Sequence, residues 1–242
     1  VMAQVVSYAP AAVALGAPDR RFGFSVPSGN FGNIFAGYVA RQMGFDLAPL
    51  IVGANRNDIL ARFFKTGRME ISGVEPSLSP SMDIQVSSNL ERLLFDLFDR
   101  DGRRLGEAMT EFRSTGKFAA PKGTWSRVEG LFRAAALDDP GTLRLMGELH
   151  ELTGELIDPH SAIGIHAALA CHTDRATPIV ALGTAHPAKF PDAVEKATGI
   201  RPELPGFLAD LHQRPERIGG LPKALNAVQD YVLSHRRNDR NG

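Results

Sequence analysis

The chain has 242 residues, 43% hydrophobic and 22% charged, and its 27 basic and 27 acidic side chains cancel. It is long enough to bury a core, as one large or two small domains, and no apolar run reaches the length of a membrane span. The short basic tail at Arg236, Arg237 and Arg240 is ordinary solvated surface and not a nucleic-acid footprint, and the single Cys171 excludes a disulfide framework and points to a reducing, cytoplasmic compartment.

Val1 to Gly16 carries apolar residues on two adjoining helical faces, Val1, Val5, Tyr8, Ala12 and Leu15 on one and Met2, Val6, Ala9 and Val13 on the next. This predicts a helix buried on several sides and kinked or divided at Pro10. The segment lacks the basic start of a signal peptide. Beginning with Val and not Met, the chain reads as a piece of something longer. Phe22, Phe24 and Val26 then alternate with Arg21, Gly23 and Ser25, the period of a strand. Ile34, Phe35, Tyr38 and Val39 make a helical stripe that stops near Gly44.

Between strand and helix stands Pro27-Ser28-Gly29-Asn30-Phe31-Gly32-Asn33. A Gly-rich turn entering a helix N-terminus gathers unpaired N–H groups at the positive end of the helix dipole, which suits a phosphate. Two familiar motifs fit poorly. Asn33-Ile34 stands where a P-loop has Lys-Ser or Lys-Thr, and Gly29 and Gly32 lack the first glycine of a dinucleotide fingerprint. Arg56 keeps a 2′-phosphorylated dinucleotide open as an alternative, and a tight turn without ligand is the other.

Leu50-Ile51-Val52 is the next strand, so strand, loop, helix and strand form a βαβ unit with a parallel pair. Asn57 or Asp58 caps a helix carrying Ile59, Leu60 and Phe63 and ending near Gly67. Ser72 to Asp83, with Pro76 and Pro80, is a loop. Ser88-Asn89-Leu90-Glu91 reads as a capping box, followed by a core stripe of Leu90, Leu93, Leu94, Leu97 and Phe98. Helices are predicted over 107–114, 124–136, 140–154 and 160–171. Ile179-Val180-Ala181-Leu182 returns as a buried strand running into Thr184. Residues 201–242 read as an irregular, proline-rich tail closed by a helix near 222–235. His160, His166 and His172 are six apart, about 240° on a helix, so they share no face and no metal site is expected.

Several blocks carry a family resemblance: Pro27 to Asn33, Asn55-Arg56-Asn57-Asp58-Ile59-Leu60, Phe63-Phe64-Lys65-Thr66-Gly67, Ser79-Pro80-Ser81-Met82-Asp83-Ile84, Asp158-Pro159-His160 and Thr184 to Phe190. In this order they closely resemble threonine synthase, a pyridoxal-phosphate enzyme of fold type II, in its longer bacterial and fungal version. The resemblance implies an α/β fold with a parallel βαβ core and a helix-rich C-terminal part. It also implies that the chain corresponds to the C-terminal half and is an incomplete fold. Residues 1–200 would be the C-terminal portion of the pyridoxal-phosphate-binding catalytic region, and 201–242 a tail with a helix.

The implied reaction is a lyase reaction converting O-phospho-L-homoserine and water to L-threonine and phosphate. Ser28, Gly29, Asn30, Phe31, Gly32 and Asn33 would grip the cofactor phosphate. The Thr184 hydroxyl would face the ring nitrogen, which it cannot hold protonated as a carboxylate would. Read alone, Thr184 equally suits an N-cap for a helix around 190–197. Asn55, Arg56, Ser79, Ser81, Asp83 and Arg92 are candidate linings for the substrate phosphate. The family's Schiff-base lysine sits upstream in a Phe-Lys-Asp context that no lysine here matches. Lys65 suits a helix end, Lys189 follows a turn, and Lys117, Lys122, Lys196 and Lys223 read as solvated surface. No catalytic residue is therefore assigned within these residues, and alone they are not expected to turn over. His160 reads as site or helix start, and His186 as site wall or turn. The expected partners are the missing N-terminal half or a second copy. The alternative is a non-catalytic fragment that binds phosphorylated small molecules or an intact synthase subunit.

Overall fold

A computed structural model of the protein describes residues 1–121, 123–174 and 176–236. Lys122, Arg237 and Arg240, read above as surface, lie outside the described residues. Two units are distinguished, Val1–Glu203 and Leu204–Gly242.

The first unit begins with helix α1 (Met2–Ala14), strand β1 (Gly23–Pro27), helix α2 (Gly32–Gln42) and strand β2 (Leu50–Ala54). Helix α3 (Ile59–Thr66) follows, ending on the left-handed Gly67. Strand β3 (Arg68–Glu70), helices α4 (Leu90–Leu97) and α5 (Gly102–Thr115), and strands β4 (Lys117–Ala119) and β5 (Phe132–Ala136) come next. Helices α6 (Asp139–Thr153) and α7 (Pro159–Cys171), strand β6 (Ile179–Ala181) and helix α8 (Pro191–Thr198) complete the unit. Asp101, Asp138 and Asp158 cap α5, α6 and α7 with their carboxylates, which is why these helices start where they do. The second unit is largely irregular and carries helix α9 (Leu225–His235).

Four strands form a parallel sheet in the order β5-β2-β1-β6. Both faces are covered, so β1 and β2 are buried along their whole length, as parallel strands usually are. The alternation in β1 therefore separates two packings, not core from water. Phe24 and Val26 join the main core with Leu50, Val52 and Phe132. Ser25 and Pro27 meet α7 on the other face, where the buried Ser25 hydroxyl donates to the Gly164 carbonyl at 2.6 Å. A Cβ on Gly164 would lie 2.9 Å from Pro27 Cδ, and one on Gly53 would lie 3.0 Å from the Ile163 carbonyl oxygen. Glycine at these positions lets α7 lie close on the sheet.

Four expectations change, and one strand pair is added. Residues 124–136 are not a helix: a short turn at 125–127 leads into β5, which pairs with all of β2 from Leu50↔Phe132 to Ala54↔Ala136. The alanines there favour helix locally, but five ladder positions on an open strand edge outweigh that preference. Ser88 forms no capping box. Its N–H and hydroxyl both donate to Asn30 Oδ1, at 2.8 and 2.9 Å, and no side chain caps α4. Helix α1 runs unbroken through Pro10 and buries one face only. Tyr8 and Ala12 pack inward, with Tyr8 seated over Gly37, while Met2 is 86% and Val13 66% exposed. Strand β6 is half-buried because it pairs on one side only. Finally, β3 and β4 form an antiparallel pair that the periodicity did not reveal. Among the described residues no helix is long and apolar enough to cross a membrane.

Candidate functional site

Strand order places the site. From β1 the chain crosses to β2 on one side, while β6 lies on the other, so the loops after β1 and β6 diverge and leave a crevice at the carboxyl ends of these strands. The loop after β1 is Ser28 to Phe31. Ser28 N–H donates to the Gly53 carbonyl at 2.9 Å, prolonging the pairing of β1 with β2. Gly29 then passes under the Pro80–Met82 turn so closely that a Cβ would stand 2.7 Å from Met82 Cα. Ser87 Oγ donates to the Gly29 carbonyl.

Phe31 turns the chain into α2 with a left-handed backbone, φ 62°. That conformation is uncommon for a bulky residue. It is held by full burial of the ring against Phe64 and Phe132, at centroid distances of 5.5 and 5.7 Å. No side chain caps α2, so its first-turn N–H groups have neither an intrahelical partner nor a capping group. Asn33 is fixed from α1: the Tyr8 hydroxyl donates to its carbonyl oxygen at 2.9 Å and to Oδ1 at 3.2 Å. Burial pushes the Tyr8 phenol well above its usual range, so it is a neutral donor.

The loop borders two cavities. The larger, 790 Å³, runs along α1 and reaches Asn89 and Arg92. The smaller, 440 Å³, has Gly29, Asn33, Ser81, His160, Thr184 and Lys189 in its lining. It brings Thr184 together with the loop from more than a hundred residues away. Thr184 is exposed and caps no helix. Its N–H donates to Ser161 Oγ at 3.3 Å.

Ser161 belongs to a buried network at the start of α7. Asp158 accepts the N–H groups of His160 and Ser161, the His160 ring through Nδ1 at 2.9 Å, and the Ser161 hydroxyl. Burial pushes the Asp158 carboxyl up, but these hydrogen bonds outweigh it and hold the carboxyl below its usual range. Asp158 is thus the helix cap, and His160 is at once helix start and cavity wall. His186 is a turn residue, accepting the Ala188 N–H at Nδ1.

The six residues read as linings of a substrate-phosphate site are placed differently from one another, and Arg92 lies on the larger cavity. Asn55 Nδ2 donates to Ser77 Oγ, Ser79 Oγ and Asp83 Oδ1 at 2.7, 3.0 and 2.7 Å. Asp83 also accepts from Asn57 and from the Ser77 N–H. These groups bond one another and shape the Ser72–Asp83 loop. Arg56 lies outside, 3.5 Å from Glu75. Only Ser81 borders the smaller cavity. Gln4 and Ser7 of α1 border it too and escaped the sequence reading, because nothing local ties α1 to the loop. Among the described residues no group of three His, Cys, Asp or Glu side chains is gathered as metal ligands.

The family model described as threonine synthase, C-terminal, matches residues 161–232. A threonine synthase from Pseudomonas aeruginosa is 51% identical over 236 residues, 97% of this chain and 50% of that protein. Over nearly its whole length the chain is similar to about half of a threonine synthase. The crystal structure of pyridoxal-phosphate-bound threonine synthase from Brucella melitensis aligns with a TM-score of 0.89 at 45% identity, covering 98% of this chain and 51% of that one. Yeast threonine synthase gives 0.83 at 30% identity, covering 96% and 51%. The chain spans about half the length of the curated threonine synthases it matches. Its parallel α/β architecture is the fold type II arrangement of these threonine synthase structures, over about half of it.

Proposed function

We propose that this chain forms the phosphate-binding side of a threonine synthase active site, taking part in the conversion of O-phospho-L-homoserine and water to L-threonine and phosphate. The observation that carries this reading is the meeting of the uncapped α2 N-terminus, the Gly29 cradle and Thr184 around one cavity. The residues present fit pyridoxal phosphate. The first-turn N–H groups and the Ser28 hydroxyl suit its phosphate, and a side chain at Gly29 would close the loop against the Pro80–Met82 turn. When bound, the cofactor supplies an electron sink for carbanions formed on an amino-acid substrate.

The loop geometry supports these roles. Ser28, Gly29, Asn30, Phe31, Gly32 and Asn33 hold the phosphate. Asn30 and Asn33 do so by keeping the loop in shape, since their side-chain oxygens are engaged by Ser88 and Tyr8. Thr184 takes the ring nitrogen. Asn55, Ser79 and Asp83 act at one remove, holding the loop that presents Ser81 to the cavity. Arg56 serves its edge. Residues 1–200 are the catalytic portion, 201–242 a tail, and the compartment is the cytoplasm. The lysine that would carry the cofactor comes from residues outside these 242, so activity requires the complementary half.

The test is pyridoxal-phosphate titration of this chain alone and of the chain with that half, followed by borohydride reduction and peptide mapping. Expected is no stoichiometric lysine adduct with the chain alone, and turnover with an adduct on the added half when both are present. A stoichiometric adduct on a lysine of this chain would overturn the assignment. Persistent inactivity of the complete protein, with phosphate compounds still bound, would favour the non-catalytic fragment.

A further inference from the structure

The Asp158–His160 pair at the start of α7 has an arrangement that helix capping does not explain. Asp158 needs only its two backbone acceptor bonds to cap α7. It also holds the His160 ring through Nδ1 at 2.9 Å, with the carboxylate completely buried. A carboxylate can only accept, so Nδ1 carries the hydrogen, and the tautomer this selects has its lone pair at Nε2. The ring cannot easily turn away, because Phe190 packs on it at a centroid distance of 4.7 Å. Nε2 is buried and has no hydrogen-bond partner in the protein. His160 itself is 5% exposed and borders the cavity shared by Gly29, Ser81 and Thr184. A buried acceptor left unpaired points to a partner brought from elsewhere.

We propose that His160 is the proton-handling residue of this cleft, its Nε2 meeting an ionisable group of the bound ligand and its tautomer set by Asp158. This rests on the cofactor and substrate reading above. When Nε2 takes a proton, the new N–H bond forms from the imidazole lone pair and the electrons of the broken bond stay with the ligand. The imidazolium keeps its Nδ1–H on Asp158, which offsets the new charge. The reverse transfer returns the proton. Lys189 borders the same cavity and Asp158 holds the ring, so these are the charged groups that face this exchange among the described residues. Asp158 acts as a positioning residue. Through Ser161 Oγ the same carboxylate also anchors the Thr184 N–H, so the ring and Thr184 are registered to each other.

The test uses the complete protein loaded with pyridoxal phosphate and labelled with ¹⁵N-histidine, the His160 ring signals being those lost in His160→Gln. Expected are a protonated Nδ1, an unprotonated Nε2, and a displaced Nε2 signal on adding a phosphonate analogue of the substrate that cannot lose phosphate. His160→Gln keeps size and polarity, so kcat should fall about 10²–10⁴-fold with cofactor affinity preserved. Asp158→Asn should move the hydrogen from Nδ1 to Nε2. An Nε2 signal indifferent to the analogue, or kcat retained in His160→Gln, overturns the proposal while leaving the cofactor reading intact. Failure of the unsubstituted protein to bind pyridoxal phosphate overturns both.

Discussion

Gly29→Ala tests the loop most directly. Its Cβ would stand 2.7 Å from Met82 Cα and 3.0 Å from the Ser81 carbonyl oxygen. Carbon atoms pack best at roughly 3.5–4.0 Å, so the Pro80–Met82 turn must recede by about 1 Å. It cannot do so freely, since Asp83 just after it is held by Asn55, Asn57 and Ser77. Overpacking of this kind costs about 1–3 kcal/mol. The Ser87–Gly29 hydrogen bond is strained at the same time, worth about 1 kcal/mol more. If half of that total falls on the cofactor-bound loop, affinity drops by about tenfold, since 1.4 kcal/mol is one decade. Urea denaturation and pyridoxal-phosphate titration of the complete protein measure the two effects. A double-mutant cycle with Asp83→Ala decides the reasoning: freeing the turn should shrink the cost of Gly29→Ala by at least about 0.5 kcal/mol. Strict additivity, or stability and affinity both unchanged in Gly29→Ala, would refute it.

Other substitutions check other parts of the fold. Gly106→Ala should stabilise the protein by about 0.5–1 kcal/mol in the same denaturation assay, because Gly106 is exposed inside α5 with nothing within 4 Å of an added Cβ. Tyr8→Phe should cost about 1–3 kcal/mol and weaken phosphate binding, since it removes the donor to both oxygens of Asn33. Ultraviolet titration of the folded protein should leave the Tyr8 phenol protonated until unfolding, because burial pushes it up. Asp158 has a lowered folded-state pKa, so its contribution is complete above the usual carboxylate value and is lost as pH falls through the folded value. Asp158→Asn should therefore be less stable at neutral pH and show a flatter acid limb than the parent in denaturation from pH 7 to pH 2.

What the sequence determined by itself was local. The strand–glycine–helix entry at 22–39 was legible because a period of two, two glycines and a period of 3.6 follow within a few residues. The core stripe of α4 was legible because a helix brings residues three and four apart onto one face, and all five stripe residues are buried. The starts of α6 and α7 lay within a residue or two of expectation, since Asp138 and Asp158 cap them through groups two or three residues away.

Tertiary structure decided whatever depends on distant partners. Residues 132–136 are a strand because β2 offers them a free edge some eighty residues earlier in the chain. Ser88 forms no local cap because α4 starts after Asn89, one residue further on, and the Ser88 N–H and hydroxyl both donate to Asn30 in another loop. Met2 and Val13 look like core in sequence, yet among the described residues their face of α1 stays largely exposed. The cleft is decided the same way. Gly29, Ser81, His160 and Thr184 meet only because parallel strands β1 and β6 pair and open their loops at one end of the sheet. That pairing is non-local, and no periodicity or cap within the sequence encodes it.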